Sequence, residues 1–161
     1  MSLHPETRIG HVHLTVSNLE RSLQFYRDLL EFEVVTTYGD SAVFLSAGGY
    51  HHHIGLNTWS GTDIPPASNK QAGLYHVAIL FPTHQELARI VKKILDIQYP
   101  LEGASDHGVS LAFYLRDPDN IGVELYVDRP KTEWPRDSDK TIAMVSKPLD
   151  IRDFLKNNLT N

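Results

Sequence analysis

The chain has 161 residues, a formal net charge of −5 and no cysteine. This length suits one domain or two small half-domains that share a core, and the lack of cysteine excludes disulfides, thiolate metal sites and cysteine nucleophiles. The acidic balance argues against a nucleic-acid surface, because phosphate binding depends on clustered lysine and arginine. No apolar run approaches the ~20 residues of a membrane span, and the N-terminus lacks the basic start and apolar core of a secretory signal. We therefore expect a cytoplasmic protein that binds a small molecule, with no membrane or nucleic-acid partner.

A strand followed by a helix comes first in the chain. Residues 9–16 have the pattern of a short buried strand, and Ser17-Asn-Leu-Glu20 after them has the form of a capping box that begins a helix. Apolar side chains then recur at helical spacing, at Leu19, Leu23, Tyr26 and Leu30. β-Branched and aromatic residues mark three further strands, at 34–38, 42–47 and 52–58. The pattern predicts a βαβββ module over residues 1–59.

The same order of elements recurs after a Gly- and Pro-bearing linker at 60–72. When His11 is set on His76, residues 9–16 align with residues 74–81, and a second capping box begins at Thr83. The second helix has its apolar stripe at Leu87, Ile90, Val91, Ile94 and Leu95, and its three strands are expected at 98–101, 110–116 and 123–127. We predict an α+β fold with a second βαβββ module over 73–129. A tail at 130–161 would carry a short helix at 149–157.

The repeat brings two histidines into equivalent places. His11 and His76 stand near the start of the first strand of each copy, so a pseudo-twofold between the copies would make them converge. Glu124 is an acidic side chain in an otherwise apolar strand, where a carboxylate needs a cation. Two histidines and one carboxylate with open positions suit non-haem Fe(II), and also Mn, Ni, Co or Zn. The alternative is that both histidines bond to the backbone and that Glu124 pairs with an arginine.

Other polar residues precede Glu124 or lie in the first copy. His107 and Tyr114 could donate hydrogen bonds to a substrate oxygen or move a proton, or could simply be a surface histidine and a half-buried tyrosine. In His51-His-His53, alternation along a strand would put His52 on one face and its neighbours on the other, and which of the three faces a pocket stays open. No phosphate-binding glycine loop or dinucleotide fingerprint is present, so no organic cofactor is implied.

Three stretches resemble a known family. Residues 10–26, 51–59 and 107–124 are similar to the vicinal oxygen chelate superfamily of glyoxalases, bleomycin-resistance proteins and extradiol dioxygenases, especially its bacterial catechol-2,3-dioxygenase-like members. The resemblance implies a curved, barrel-like mixed sheet around a metal site with helices outside. It also implies metal ligands at His11, His76 and Glu124, assisting roles for His107 and Tyr114, and proton transfer by His52. That family pattern has Gly or Pro where Asn120 stands.

The resemblance implies an Fe(II)-dependent extradiol dioxygenase of aromatic compound catabolism, with a divalent metal as its cofactor. Its partners would be a catechol-like substrate, O2 and a second copy of the chain in a homodimer. One alternative is a glyoxalase- or isomerase-like metalloenzyme, although such enzymes commonly use a further carboxylate from the first copy's last strand, where this sequence has histidines. The other is a metal-free small-molecule-binding module of the drug-resistance type, which would lack the three ligands.

Overall fold

The computed structural model describes residues 2–68 and 70–159. Residues 1, 69, 160 and 161, which belong to the predicted first module, linker and tail, lie outside the described residues. The chain divides into two compact units, Met1–Ala67 and Ser68–Asn161. Each unit contains one mixed sheet and at least one helix, so the predicted α+β class is confirmed.

The first unit has the predicted βαβββ order. Its elements are β1 Val12–Thr15, α1 Leu19–Leu23, β2 Glu33–Tyr38, β3 Ala42–Ser46 and β4 Ile54–Asn57. The sheet order is β1-β4-β3-β2, with β1 parallel to β4 and the other pairs antiparallel. Helix α1 continues as a π-helical segment, Gln24–Leu29, in which the Leu30 N–H donates to the Phe25 carbonyl at 3.0 Å. The sequence pattern had indicated only a regular helix there.

The second unit repeats this order and adds a strand and a helix. Its elements are β5 His76–Leu80, α2 His84–Asp96, β6 Leu101–Asp106, β7 Ser110–Arg116, β8 Gly122–Asp128, β9 Lys147–Pro148 and α3 Ile151–Asn158, with a 3-10 turn at Lys131–Glu133. The sheet order is β5-β8-β7-β6-β9, with β5 parallel to β8. Both sheets are therefore open, with two edge strands each, and neither unit closes a barrel by itself.

The helix starts correct one prediction. Thr83 caps α2 as predicted, its side chain accepting from the Glu86 N–H at 3.2 Å. Helix α1 is capped by Asn18 and not by Ser17: the Asn18 side chain accepts from the Arg21 N–H at 2.9 Å. Asparagine is as good an N-cap as serine, so the helix begins one residue later. This places Asn18 as far from His11 along the chain as Thr83 is from His76.

The strand predicted at 98–101 is wrong. The end of α2 continues into a turn in which Gln98 has a φ of +57°, and the N–H groups of Gln98 and Tyr99 donate to the carbonyls of Leu95 and Ile94. This is the hydrogen-bond pattern of a helix C-cap, which usually has glycine in the place of Gln98. The strand follows at Leu101–Asp106, where its small and polar residues gave no strand signal.

The helices bury the predicted apolar stripes against their sheets. Leu23, Tyr26 and Leu30 are buried in the first unit, as are Leu87, Ile90, Val91 and Ile94 in the second. Leu95 was predicted to be on the same stripe but is 39% exposed. Among the described residues, no helix has the length and apolar character that crossing a membrane requires.

Candidate metal centre

Strand pairing in the second unit brings three candidate residues together. His76 on β5 pairs with Gly122 on β8, and Glu124 follows two positions later on the same face of β8. On the other side of β8, Glu124 is the direct partner of Tyr114 on β7. The parallel and antiparallel neighbours of one strand thus place an imidazole, a carboxylate and a phenol side by side.

These side chains form a continuous row of contacts. The Nε2 of His76 lies 2.9 Å from Oε2 of Glu124, and the Tyr114 hydroxyl lies 3.3 Å from Oε1 of the same carboxylate. The Nε2 of His107, at the turn between β6 and β7, is 2.6 Å from the Tyr114 hydroxyl oxygen. The structure therefore brings together four of the six predicted site residues within one unit.

Burial and charge act on the phenol in this row. Burial, followed by the charge and the hydrogen bond of Glu124, raises the pKa of Tyr114 to about 12. Its hydroxyl therefore keeps its proton at neutral pH and can serve as a hydrogen-bond donor.

The row borders a cavity of about 440 Å³ in the second unit. His76, His107 and Tyr114 line it together with backbone and side-chain atoms of β6, and Arg116 also contributes to the wall. Arg116 pairs with Glu102 on β6, with its Nε 2.9 Å from the carboxylate. A cavity of this volume lies within the range of small-molecule sites, and three of the predicted site residues, His76, His107 and Tyr114, contribute to its lining.

The first unit gathers a second group of candidates. The rings of His11 and His52 are 4.3 Å apart between centroids, and Nδ1 of His51 lies 2.8 Å from Nδ1 of His52. His53 is engaged elsewhere, because its Nδ1 accepts from the Ala47 N–H at 3.3 Å and lies 3.1 Å from the Ser46 hydroxyl. The three histidines precede β4 instead of opening it, so strand alternation does not describe them. Of the three, His52 lies nearest to His11.

His52 is held in a half-buried position, with the Phe44 ring 5.1 Å away. Burial, and after it the charges of His11 and His51, lower the pKa of His52 below its ordinary value. A neutral imidazole at neutral pH can accept a proton.

The donor atoms of the second unit fit a divalent ion. Two atoms that each lie about 2.1 Å from one ion at a right angle are about 3 Å apart, which is close to the 2.9 Å between His76 and Glu124. The Nδ1 of His76 is buried without a hydrogen-bond partner among the described residues, so the protein does not fully satisfy this ring. The described residues contain no group of three or more His, Cys, Asp or Glu side chains arranged to hold an ion. His76 and Glu124 are thus a two-atom donor set that needs further ligands.

Comparison with known proteins places this geometry in a family. The profile of the Glyoxalase/Bleomycin resistance protein/Dioxygenase superfamily matches residues 8–125, which include every predicted site residue. The chain belongs to this superfamily. Within it, a crystal structure of a glyoxalase/dioxygenase from Nostoc punctiforme matches with a TM-score of 0.66 at 18% identity, covering 81% of this chain and 98% of that one. At this identity the likeness concerns the fold alone.

Two superfamily relatives are similar in sequence. A catechol-2,3-dioxygenase of Bacillus subtilis (strain 168) is 37% identical over 155 residues, which are 96% of this chain and 53% of the relative. A biphenyl-2,3-diol 1,2-dioxygenase of Rhodococcus globerulus is 33% identical over 122 residues, covering 75% of this chain and 63% of that one. The chain thus spans about half the length of the first relative and less than two thirds of the second.

Several residues that shape the site had not been singled out from the sequence. Gly122 is one, because a Cβ there would collide with the Tyr75 carbonyl and would lie 3.0 Å from the His76 Cβ. Asp106 is another, since it accepts from the Gly108 N–H at 2.8 Å and so closes the turn that carries His107. The sequence signal for the second was available: an aspartate two residues before a glycine is typical of such a turn.

Proposed function

We propose that this chain is a metal-dependent extradiol dioxygenase that cleaves the ring of a catechol-like substrate with O2. The observation that carries the proposal is the row His76, Glu124, Tyr114 and His107 beside a cavity of about 440 Å³. It combines two metal-ligand types with two hydrogen-bonding groups that a substrate oxygen could meet. The catechol- and biphenyl-diol dioxygenases among the relatives support the same reaction class.

In this proposal His11, His76 and Glu124 hold the ion. Glu124 contributes the negative charge, and the two imidazoles contribute neutral nitrogen ligands. This set is the two-histidine, one-carboxylate arrangement that suits Fe(II) and leaves positions open. The ion, when bound, supplies the redox chemistry of ring cleavage and increases the acidity of the substrate hydroxyls.

The remaining candidates act on the substrate. His52 removes a proton from a substrate hydroxyl, which its neutral ring can accept. Tyr114 and His107 bind a substrate oxygen and carry a proton between them, since their polar atoms are 2.6 Å apart. The apolar part of the cavity wall excludes water from the aromatic ring of the substrate. Tyr114 and His107 set the orientation of the diol.

The first unit supports this reaction over a glyoxalase-like one. The further carboxylate of glyoxalase-like members would come from β4, and the residue of β4 that corresponds in register to Glu124 is Gly55. Gly55 has no side chain to bind an ion. The three-ligand set of a dioxygenase therefore fits the chain better than a four-ligand set.

Elemental analysis of protein purified without oxygen, followed by a ring-opening assay with catechol and added Fe(II), tests the proposal. We expect about one iron per chain and a yellow ring-cleavage product. His76→Ala should lose both the metal and the product while the chain stays folded. His84→Ala is the matched control, because His84 begins α2 and its ring faces Phe154 at 6.4 Å. Zinc, nickel or manganese without ring cleavage would contradict the dioxygenase proposal in favour of an isomerase, and absence of any metal would favour a binding module.

The resemblance also predicts a cytoplasmic homodimer in aromatic compound catabolism. Size measurement in solution by sedimentation tests the dimer directly.

A further inference from the structure

The turn that carries His107 is bound by a segment that follows the last strand of the second βαβββ module, β8. This C-terminal segment, residues 129–148, follows the residues matched by the superfamily profile. The Val145 N–H donates to the His107 carbonyl at 3.2 Å, and the Val145 carbonyl oxygen lies 2.9 Å from Nδ1 of the His107 ring. Strand β9 at the end of the segment pairs with β6, which leads into the turn. Both the backbone and the ring of His107 are therefore attached to the C-terminal segment.

Asp106 connects the turn to the start of the same segment. Its Oδ1 accepts from the Gly108 N–H at 2.8 Å, and its Oδ2 lies 2.8 Å from Nη2 of Arg129. The Arg129 carbonyl in turn accepts from the indole N–H of Trp134 at 2.8 Å. The residues on either side of His107 are thus fixed by one carboxylate that faces a cation of the segment.

Gly108 allows the segment to approach this closely. It has a φ of +76°, and a Cβ on it would lie 2.8 Å from Pro135 Cγ and 3.3 Å from a Val145 methyl group. Neither the backbone conformation nor the space accepts a side chain readily. The contact between turn and segment depends on this glycine.

The Val145 carbonyl determines which ring nitrogen of His107 carries the hydrogen. A carbonyl only accepts, so a stable contact at 2.9 Å requires a hydrogen on Nδ1. A neutral ring then has a lone pair on Nε2, which points at the Tyr114 hydroxyl 2.6 Å away. Tyr114 has one hydrogen to donate, and His107 is nearer to it than Glu124 is, at 3.3 Å. When the Tyr114 hydrogen points to the nearer acceptor, Nε2 of His107, the Tyr114 oxygen can accept from a substrate hydroxyl.

We propose that Asp106 and the C-terminal segment are positioning elements that hold His107 in the Nδ1–H tautomer, with the Nε2 lone pair directed at Tyr114. The inference rests on the proposed function for its catalytic consequence, but the tautomer itself is a property of the metal-free chain. It assigns a role in the site to residues that follow the superfamily module.

The tautomer can be read from the ring ¹⁵N shifts of the full-length, metal-free chain at pH 8, where an ordinary imidazole is neutral. His107→Gln identifies the signals of His107 by their disappearance. We expect a protonated Nδ1 and an unprotonated Nε2. An Nε2–H tautomer, or the averaged shifts of a free imidazole, would overturn the proposal.

Gly108→Ala should separate the segment from the turn and convert the His107 signals to the averaged pattern. The matched control is Gly39→Ala, which imposes similar backbone strain at a φ of +53° but has no atom within 4 Å of its new Cβ. Arg129→Met removes the cation at Asp106 without adding volume. It should change the His107 signals in the same way, and it serves as the test if Gly108→Ala does not fold. Retention of the wild-type tautomer in the folded variants would overturn the proposal.

Activity supplies an independent measurement. In the variants we expect kcat for ring cleavage to fall about tenfold with KM little changed, which is the usual effect of losing the outer partner of a site histidine. If wild-type protein does not cleave catechols, the proposed function fails while the tautomer result still stands. If cleavage occurs but His107 carries its hydrogen on Nε2, the positioning proposal alone fails.

Discussion

The two units place different side chains at corresponding points of the same strand arrangement. In the second unit, Glu124 on β8 has Ala78 as its parallel partner and Tyr114 as its antiparallel partner. In the first unit the corresponding residue of β4 is Gly55, between His13 on β1 and Phe44 on β3. In the second unit the large side chain, Glu124, is on the last strand and the small one, Ala78, is on the first strand. In the first unit the last strand has Gly55 and the large side chain, His13, is on the first strand.

The neighbours of these two positions on the last strands also differ. Beside Glu124 on β5 stands Ala78, which has only a methyl group, whereas in the first unit the His13 ring lies over Gly55, with its Cδ2 2.8 Å from where a Cβ would be. Phe44 has no hydroxyl to match that of Tyr114. A repeated fold therefore does not imply repeated side chains, and of these two corresponding positions only the one in the second unit carries a carboxylate.

Among the substitutions that test this comparison, the one at Gly122 in the second unit should have the largest effect on stability. Gly122→Ala would drive a Cβ against the Tyr75 carbonyl and the His76 Cβ, at the start of the neighbouring strand β5, where neither atom can move away alone. We expect a loss of about 3 kcal/mol in the free energy of unfolding, measured by urea denaturation. His76 should also be displaced, so that metal binding weakens in the protein that remains folded.

Gly55→Ala is the counterpart in the first unit. The three atoms nearest to its Cβ would all belong to the His13 side chain, which can rotate away, so we expect a loss of about 1 kcal/mol or less. Equal losses in the free energy of unfolding for Gly122→Ala and Gly55→Ala would contradict this comparison, because β8 and β4 would then tolerate a side chain equally well.

Glu124→Gln tests whether the charge of the second unit holds the ion. Glutamine keeps the size of the side chain and an oxygen for Tyr114, but it loses the negative charge. We expect the affinity for Fe(II) or Mn(II) to fall at least about 100-fold, measured by anaerobic titration. Glu86→Gln on α2 is the control, since Glu86 pairs with Arg89 on the exposed side of the helix. Unchanged affinity in Glu124→Gln would exclude Glu124 as a ligand.

Much of the fold was predictable because its signals repeat. The helical spacing of Leu87, Ile90, Val91 and Ile94, and the β-branched strands, occur in the same order twice and confirm each other. Strand β6 was missed because it consists largely of Glu102, Gly103, Ala104, Ser105 and Asp106, which have low strand propensity. Its place is determined by pairing with β7, which only the folded chain shows.

The candidate site was predictable to the level of residue types and not of contacts. His76 could be proposed because the internal repeat aligns it with His11. Glu124 could be proposed because a carboxylate in an apolar strand is costly to bury without a cation. Their 2.9 Å separation depends on the parallel register of β5 and β8, and the His107 contact depends on a carbonyl at Val145, far along the chain. Asn120 departs from the family pattern of Gly or Pro, yet its φ of +64° is one that asparagine tolerates.

The hairpin turns extend the comparison to acid stability. The first unit's turn at Gly39 has open space around it, whereas the second unit's turn is closed by Asp106. Burial alone would raise the pKa of Asp106, but the Gly108 N–H and Arg129 hold it below its ordinary value. Because the folded pKa is the lower one, this stabilisation is present above about pH 4 and is lost as pH falls further.

Asp106→Asn should therefore cost more stability at pH 7 than at pH 3. We expect a loss of about 1 kcal/mol at neutral pH, as for a partly exposed ion pair. Urea unfolding at the two pH values measures it. A loss that is equal at both would mean that the carboxylate's charge is not what closes the turn.

The helices give the smallest predicted difference. Ser22 on α1 occupies the place that Leu87 occupies on α2, and both are fully buried. The Ser22 hydroxyl has no hydrogen-bond partner among the described residues. No hydrogen bond therefore offsets the free energy needed to remove it from water. Ser22→Ala should stabilise the chain by about 0.5 kcal/mol, because alanine removes that cost and also favours the helix. Thermal unfolding of the two proteins decides the matter. A lower midpoint for the variant would contradict this prediction, because it would mean that the hydroxyl stabilises the folded chain.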